Sequence, residues 1–205
     1  MINRIEKKYL LNSLSEELFF RKHSVSTHFP SRTIYSIYFD TICKSDFIDG
    51  EEGTIPRKKH RLRWYNKNIN ALDKINSFYL EKKETLADTR KKKSVLIRDN
   101  ISNALLYVDS LINNKFKKRT PVCIIKYSRK YYKNFKNIRF TIDSNISFLR
   151  CDENLNCIET HKIESKILEI KYSKHFLNLN EFIFLEQFRT RYSKYCEAIN
   201  ALYRL

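Results

Sequence analysis

The densest chemistry in this sequence sits in Arg57-Lys58-Lys59-His60-Arg61-Leu62-Arg63-Trp64-Tyr65. Read as a strand, the segment sends Arg57, Lys59, Arg61 and Arg63 to one face, because side chains alternate with period two. Lys58, His60, Leu62 and Trp64 take the other. Neighbours on one face lie about 7 Å apart, where two cations at an effective dielectric of about 20 repel by roughly 2 kcal/mol before screening. Such a row needs water or an anion. Arginine forks grip phosphate oxygens in pairs and lysines act as point charges, so phosphate binding is the chemistry that this row suits.

The carboxylates are fewer. Glu169, in Leu168-Glu169-Ile170-Lys171, shares a strand face with Lys171. Among so many cations a lone carboxylate suits a metal anchor, since Mg²⁺ commonly takes one or two protein carboxylates plus substrate oxygens. An internal ion pair with Lys171 or a neighbour is the plainer alternative. Glu6 and Glu81 read equally well as partners for nearby lysines. The histidines are scattered, with no HxH or HExxH spacing. Cys43, Cys123, Cys151, Cys157 and Cys196 form no CxxC pair, which predicts reduced, mostly buried thiols in a cytoplasmic protein.

Composition bounds the rest. With 205 residues, 13 Tyr and 14 Phe, the chain can build a sizeable core, and one domain over residues 1–205 is expected. The 2 Gly and 3 Pro argue against glycine-rich phosphate loops, linkers and repeats. A net charge of +17 points to a polyanionic partner: nucleic acid, an acidic membrane or phosphate chains. No apolar run is long enough for a transmembrane helix, and residues 1–8 contain no signal core.

Eight strands are expected to position these side chains: Ile2–Leu10, Thr33–Phe39, Arg57–Tyr65, Ser77–Glu84, Arg90–Arg98, Val122–Lys133, Asn137–Ser147 and Ser165–Tyr172. The capping box Ser13-Leu14-Ser15-Glu16 opens a helix to about Lys22. Ala104, Leu105, Val108, Leu111 and Ile112 define an amphipathic helix over Asn100–Asn114. Two more helices close the chain, Asn180–Phe188 and one capped by Ser193, with Tyr195, Ala198, Ile199 and Leu202 as its inner stripe. Ser45–Pro56, which holds both glycines, reads as a loop, and Asn66–Ile75 as a turn region. Any single charged strand face could simply meet water. Repeated over six strands with apolar residues behind, the pattern suits a closed α+β sheet, an eight-stranded antiparallel barrel around an anionic ligand, with flanking helices.

Nine short segments, in order, carry a resemblance: Arg4-Ile5-Glu6-Lys7-Lys8-Tyr9, Tyr38-Phe39-Asp40-Thr41, Arg61-Leu62-Arg63-Trp64-Tyr65, Leu80-Glu81-Lys82-Lys83, the Lys91/Lys93 pair, Tyr127-Ser128-Arg129, Ile138-Arg139-Phe140-Thr141-Ile142-Asp143, Leu168-Glu169-Ile170-Lys171 and Tyr192-Ser193-Lys194-Tyr195. Together they resemble the catalytic domain of VTC-type polyphosphate polymerases, in the CYTH-like superfamily of triphosphate tunnel metalloenzymes. The resemblance implies a barrel whose lumen binds ATP and growing inorganic polyphosphate. It implies that Arg61 and Arg63 hold phosphates, and that Lys8, Lys83 and Lys91 line the tunnel with Arg129 and Arg139 opposite. Lys93 and Lys171 accompany them, and Lys194 and Arg191 close the site. Glu169, seconded by Glu6, is implied to hold Mn²⁺ or Mg²⁺. Gly50 falls near the place of a family arginine, for which Arg57 and Lys59 stand in. The sequence carries no SPX-type sensor or membrane segment, so the compact stand-alone form is expected, with any membrane partner supplied by another protein.

The implied reaction is transfer of the ATP γ-phosphate to a phosphate chain. Two rivals stay open. A tripolyphosphatase or nucleoside triphosphatase would use water on the same fold, although the basic excess suits a long product better. A non-catalytic module binding nucleic acid would instead place its cations along an outer groove, with Tyr and Phe as stacking platforms.

Overall fold

The computed structural model describes residues 4–66, 69–87, 89–151, 155–173 and 180–203. The start expected for the first strand, at Ile2, lies outside them; the strand β1 runs over Arg4–Leu11. There follow α1 (Ser13–Lys22), β2 (Ser26–Asp40), α2 (Ser45–Glu52), β3 (Arg57–Tyr65), β4 (Phe78–Leu86), β5 (Thr89–Ile97) and α3 (Ile101–Ile112). The chain continues through β6 (Thr120–Lys133), β7 (Arg139–Cys151), β8 (Cys157–Ile163), β9 (Lys166–Ser173), β10 (Arg189–Thr190) and α4 (Lys194–Tyr203). Among the described residues there are also two 3-10 segments, Ile69–Lys74 and Asn180–Phe188.

The fold is α+β and its sheet antiparallel, with hydrogen-bonded order β10-β1-β9-β7-β6-β2-β3-β4-β5 and β8 beside β7. Among the described residues ten strands stand where eight were expected. The added ones, β8 and the two-residue β10, offer little pattern to read.

By packing, the chain divides into two compact units, and the residues of β2, β6 and β7 are shared between them. The first comprises residues 1–32, 127–146 and 162–193. Its core gathers Tyr9 and Leu11 of β1, Phe140 and Ile142 of β7, and Leu168 and Ile170 of β9, against Phe19 of α1 and Phe182 and Leu185. The second comprises residues 33–126, 147–161 and 194–205. Tyr35, Ile37, Leu62, Trp64, Phe78 and Leu80 present one sheet face there to Ala104 and Val108 of α3. Trp64 stacks on Tyr35 at 5.2 Å and 9°. In both units, therefore, the apolar parity of the strands goes to a helix and leaves the opposite parity to the charges.

Three local expectations change. The α1 cap is Asn12, one residue upstream of the expected box: its side chain accepts from Ser15 N at 2.8 Å, and Asn12 N donates to Ser15 Oγ at 2.9 Å. The segment expected as a loop contains α2. The Asp40 carboxylate accepts from the N–H groups of Asp46 and Phe47, both at 2.9 Å, and Thr41 Oγ1 accepts from Ser45 N at 3.0 Å. Gly53, at φ 76°, ends the helix in the left-handed region open to glycine. Of the four cysteines whose side chains are described, Cys123 and Cys196 are buried, Cys151 is intermediate and Cys43 is exposed, all as free thiols; the side chain of Cys157 lies outside the described ones.

Candidate functional site

In the second unit the register Tyr38↔Arg61↔Glu81↔Ser94 sets one polar face across β2 to β5. Arg61 Nε donates to Glu81 Oε2 at 2.6 Å and its Nη1 donates to the Tyr38 hydroxyl at 2.9 Å. Arg63 Nε donates to Ser36 Oγ at 3.1 Å, and its Nη1 lies 3.5 Å from the same Glu81 oxygen. Lys92 meets the other Glu81 oxygen. Burial raises the Glu81 carboxyl, but Arg61, Arg63 and Lys92 outweigh it and hold its pKa near about 2. Both expected phosphate arginines are thus fixed on one buried carboxylate.

Beside them, Lys59, Lys83 and Lys92 lie directly opposite one another across three strands. Like charges in that geometry destabilise a sheet, so an anion on this row would relieve a built-in repulsion. Lys59 Nζ donates to Cys196 Sγ at 3.3 Å and stands over the Tyr195 ring at 5.4 Å. A methyl group on Gly50 would come within 3.1 Å of both Cys196 Sγ and Lys59 Nζ, so glycine here makes room for the lysine. Tyr195 stacks on Tyr38 at 5.0 Å and 13°, and its hydroxyl donates to Asp40. The segments around Tyr38–Thr41 and Tyr192–Tyr195 are therefore joined by this one tyrosine. Burial and the Asp40 carboxylate push its phenol well above the usual range.

Register and contacts place the remaining basic residues of β3 and β5. Lys91 and Lys93, expected among the phosphate ligands, pair with Glu84 and Lys82 on the face opposite Arg61, whereas Lys92 shares the face of Arg61. Arg57 shares the parity of Lys59, but its Nη1 donates to Gly53 O at 3.0 Å and Thr54 O at 3.4 Å, so it braces the end of α2.

The first unit gathers the second cluster. Glu6↔Lys171↔Arg139 and Lys8↔Glu169↔Thr141 are adjacent rows on one face of β1, β9 and β7. Arg129 donates through Nε to Asp143 Oδ1 at 2.5 Å and through Nη2 to Asp143 Oδ2 at 2.7 Å, and Nη2 stands 4.0 Å from Glu169. The buried Asp143 carboxylate thereby fixes the guanidinium beside Glu169. Lys171 Nζ contacts Glu169 Oε1 and lies 3.9 Å from Glu6 Oε2, while Lys8 Nζ lies 3.9 Å from Glu6 Oε1 and donates to Tyr192 O at 2.8 Å. The plain alternative for Glu169, an ion pair with Lys171, is therefore present. Lys171 meets Glu169 as ion pair and hydrogen-bond donor together, at Glu169 Oε1. Burial raises the Glu169 carboxyl, and Arg129, Lys171 and Lys8 more than reverse this, holding it well below the usual carboxylate range.

A divalent cation can be tested against this cluster. Glu169 and Glu6 share a face, and the Thr141 hydroxyl opposite Glu169 is buried without a hydrogen-bond partner. Among the described residues no group of three His, Cys, Asp or Glu side chains is placed to hold a metal. The donor set fits an ion that takes one or two protein carboxylates and completes its shell with substrate oxygens. Of the other expected residues, Arg139 is exposed beside Lys171, Arg191 is exposed after β10, Lys83 is exposed on β4 and Lys194 opens α4. Asp143 and Tyr38 emerge only from three-dimensional pairing, although Asp143 alternates with Arg139 and Thr141 in the sequence.

Among curated proteins no relative matches the sequence. Solved structures do resemble the fold. A protein of Pyrococcus horikoshii OT3 aligns with TM-score 0.59 at 16% identity, over 97% of this chain and 99% of that one. A conserved hypothetical protein of Pyrococcus furiosus gives 0.57 at 15%, covering 96% and 99%. An adenylyl cyclase candidate from Hippeastrum, described as having a dominant triphosphatase activity, gives 0.56 at 12%, covering 97% and 95%. These three structures share the fold of this chain. The VTC domain model matches residues 3–203, and the chain belongs to the VTC domain family.

Proposed function

We propose that residues 1–205 act as one catalytic domain that extends inorganic polyphosphate, transferring the γ-phosphate of ATP to the end of a phosphate chain. The observation that carries this reading is the Glu169 cluster, a buried ionised carboxylate held among Lys8, Arg129 and Lys171 beside an unbonded Thr141 hydroxyl. Membership of the VTC domain family supports it.

Arg61 and Arg63 bind phosphate oxygens with forks already oriented by Glu81, so little ordering is lost on binding. Lys59, Lys83, Lys8, Lys171 and Lys194 supply point charges along the phosphates, and Arg139 and Arg191 add two further forks. Arg129, committed to Asp143, orients Glu169. Glu169 and Glu6 would hold a divalent cation, which would supply positive charge against the phosphates. A terminal oxygen of the acceptor chain attacks the γ-phosphorus in line; the bond to the ADP oxygen breaks and ADP leaves with the electron pair. No protein nucleophile is needed, and the residues act by position and charge.

A second reading, hydrolysis of a triphosphate by water, is favoured by the triphosphatase activity described for the Hippeastrum protein of the same fold. The net charge of +17 favours the polymer, because a long polyanion uses cations that one triphosphate cannot reach. Incubation with γ-labelled ATP and Mn²⁺ or Mg²⁺ separates the two. Label in acid-insoluble polymer supports transfer to phosphate, whereas label only in orthophosphate replaces it with hydrolysis.

A further inference from the structure

The second unit carries a second basic surface that the proposed reaction does not use. Lys58, Lys82, Lys91 and Lys93 share the strand face opposite Arg61, in the rows Lys58↔Glu84↔Lys91 and His60↔Lys82↔Lys93. Glu84 answers only part of this charge, through contacts with Lys58 at 3.5 Å and Lys82 at 3.7 Å. Lys82 and Lys93 stand directly opposite, an arrangement that costs stability unless an anion lies over it.

The loop after α3 extends the surface. Its sequence, Lys115-Phe116-Lys117-Lys118-Arg119, is anchored by one buried carboxylate. Arg119 grips Asp46 with Nε at 2.8 Å and Nη2 at 3.0 Å, Lys117 Nζ lies 3.5 Å from Asp46, and His60 Nδ1 lies 3.6 Å from it. Because His60 is opposite Lys82, Asp46 ties the loop to the edge of the basic face. Lys115 and Lys118 are exposed there, and Phe116 between them is 97% exposed. A folded loop that holds a phenylalanine wholly in water between lysines forgoes burial that is normally favourable.

We propose that this face docks on an anionic lipid bilayer, with the lysines over the headgroups and Phe116 entering the interface. Two features select lipid over a soluble polyanion. The exposed cations are all lysines, point charges suited to a diffuse surface rather than forks built for individual phosphates. Phe116 has no counterpart in a phosphate chain, yet an aromatic ring among lysines is the standard equipment of interfacial binding. Attachment by lysines over headgroups and one inserted ring is peripheral and reversible. The docking does not depend on the polymerase reading.

Vesicle sedimentation tests it. The chain should bind vesicles of mixed phosphatidylserine and phosphatidylcholine, and far more weakly pure phosphatidylcholine. Each lysine near an anionic leaflet contributes about a fivefold gain, so Lys115→Glu/Lys118→Glu should lower binding at least tenfold. Phe116→Ser alone, which leaves the charge intact, should also weaken it several-fold. These exposed positions lie outside the proposed catalytic machinery, and both variants should keep wild-type melting and catalysis. No binding to the anionic vesicles, or binding unmoved by Phe116→Ser, would overturn the proposal. Binding to single-stranded RNA at the same salt with no affinity for vesicles would assign the face to nucleic acid instead.

Discussion

Arg61 and the buried Glu81 form a pair in which the guanidinium donates from Nε at 2.6 Å and approaches the same oxygen with Nη2 at 2.5 Å. Glu81 is thus an internal anion at a site suited to phosphate. It settles both arginines and fixes their direction; in the proposed function that direction is toward phosphate.

Neutralising that anion should be costly. Glu81→Gln leaves Arg61 and Arg63 buried beside an amide, and breaking a buried pair on one side costs about 3–5 kcal/mol. Chemical denaturation should show a loss of that order, with part of it regained when tripolyphosphate supplies the missing charge. A stability equal to wild type would mean that Glu81 does not organise the arginines.

The same carboxylate gives a pH signature. Its folded pKa, about 2, lies below the ordinary glutamate value of 4.5, so its contribution is complete above the unfolded value. It is lost as pH falls from about 5 toward 2. Glu81→Gln should flatten the acid limb of wild-type stability across that window, measured as denaturation midpoint against pH.

Asp40 is predicted to be a structural keystone. It caps α2 through Asp46 and Phe47, accepts from Thr41 N at 2.7 Å, and receives the Tyr195 hydroxyl. Tyr195→Phe removes one bond and leaves the cap, so about 1 kcal/mol should be lost. Asp40→Ala removes the cap as well and should cost about 3 kcal/mol or more. Equal effects in denaturation would contradict this division.

Lys92 and its neighbours provide a test of register. Lys92→Ala should weaken tripolyphosphate binding by about three- to tenfold, because a cation is lost from the row beside Lys59 and Lys83. Lys91→Ala and Lys93→Ala, on the opposite face, should change it less than about twofold. Calorimetric titration of the three variants decides between the faces.

Much of this was legible in the sequence, for physical reasons. The bounds of β3 are those read from its alternation, because Pro56 and Asn66 punctuate a segment whose two parities differ sharply in chemistry. Glu169 and Lys171 read as one strand face because Leu168 and Ile170 alternate with them toward the core, and the register then adds Glu6, Lys8 and Arg139 to that face. Arg90 to Lys93 could not be read that way. Four consecutive cations have no period, and only the pairing Glu84↔Lys91 sets their faces. The helix α2 was hidden because its cap, Asp40, lies upstream in another element, while Gly50 and Gly53 looked like loop residues.

Ligand linkage offers a further check. At a hundredfold excess over its dissociation constant, a ligand that binds only the folded state adds about 2.7 kcal/mol, which for about 200 residues raises Tm by roughly 5–10 °C. Tripolyphosphate should do so by relieving the repulsion among Lys59, Lys83 and Lys92. An unmoved Tm would count against a phosphate site.

The most direct test of the central claim is a polyphosphate gel. The chain and its Glu169→Gln variant are incubated with ATP and Mn²⁺ or Mg²⁺. The account predicts a metal-dependent ladder of long chains from the wild type and at least a hundredfold less product from the variant. A wild-type reaction that releases phosphate without a ladder, or a ladder undiminished in Glu169→Gln, would contradict it.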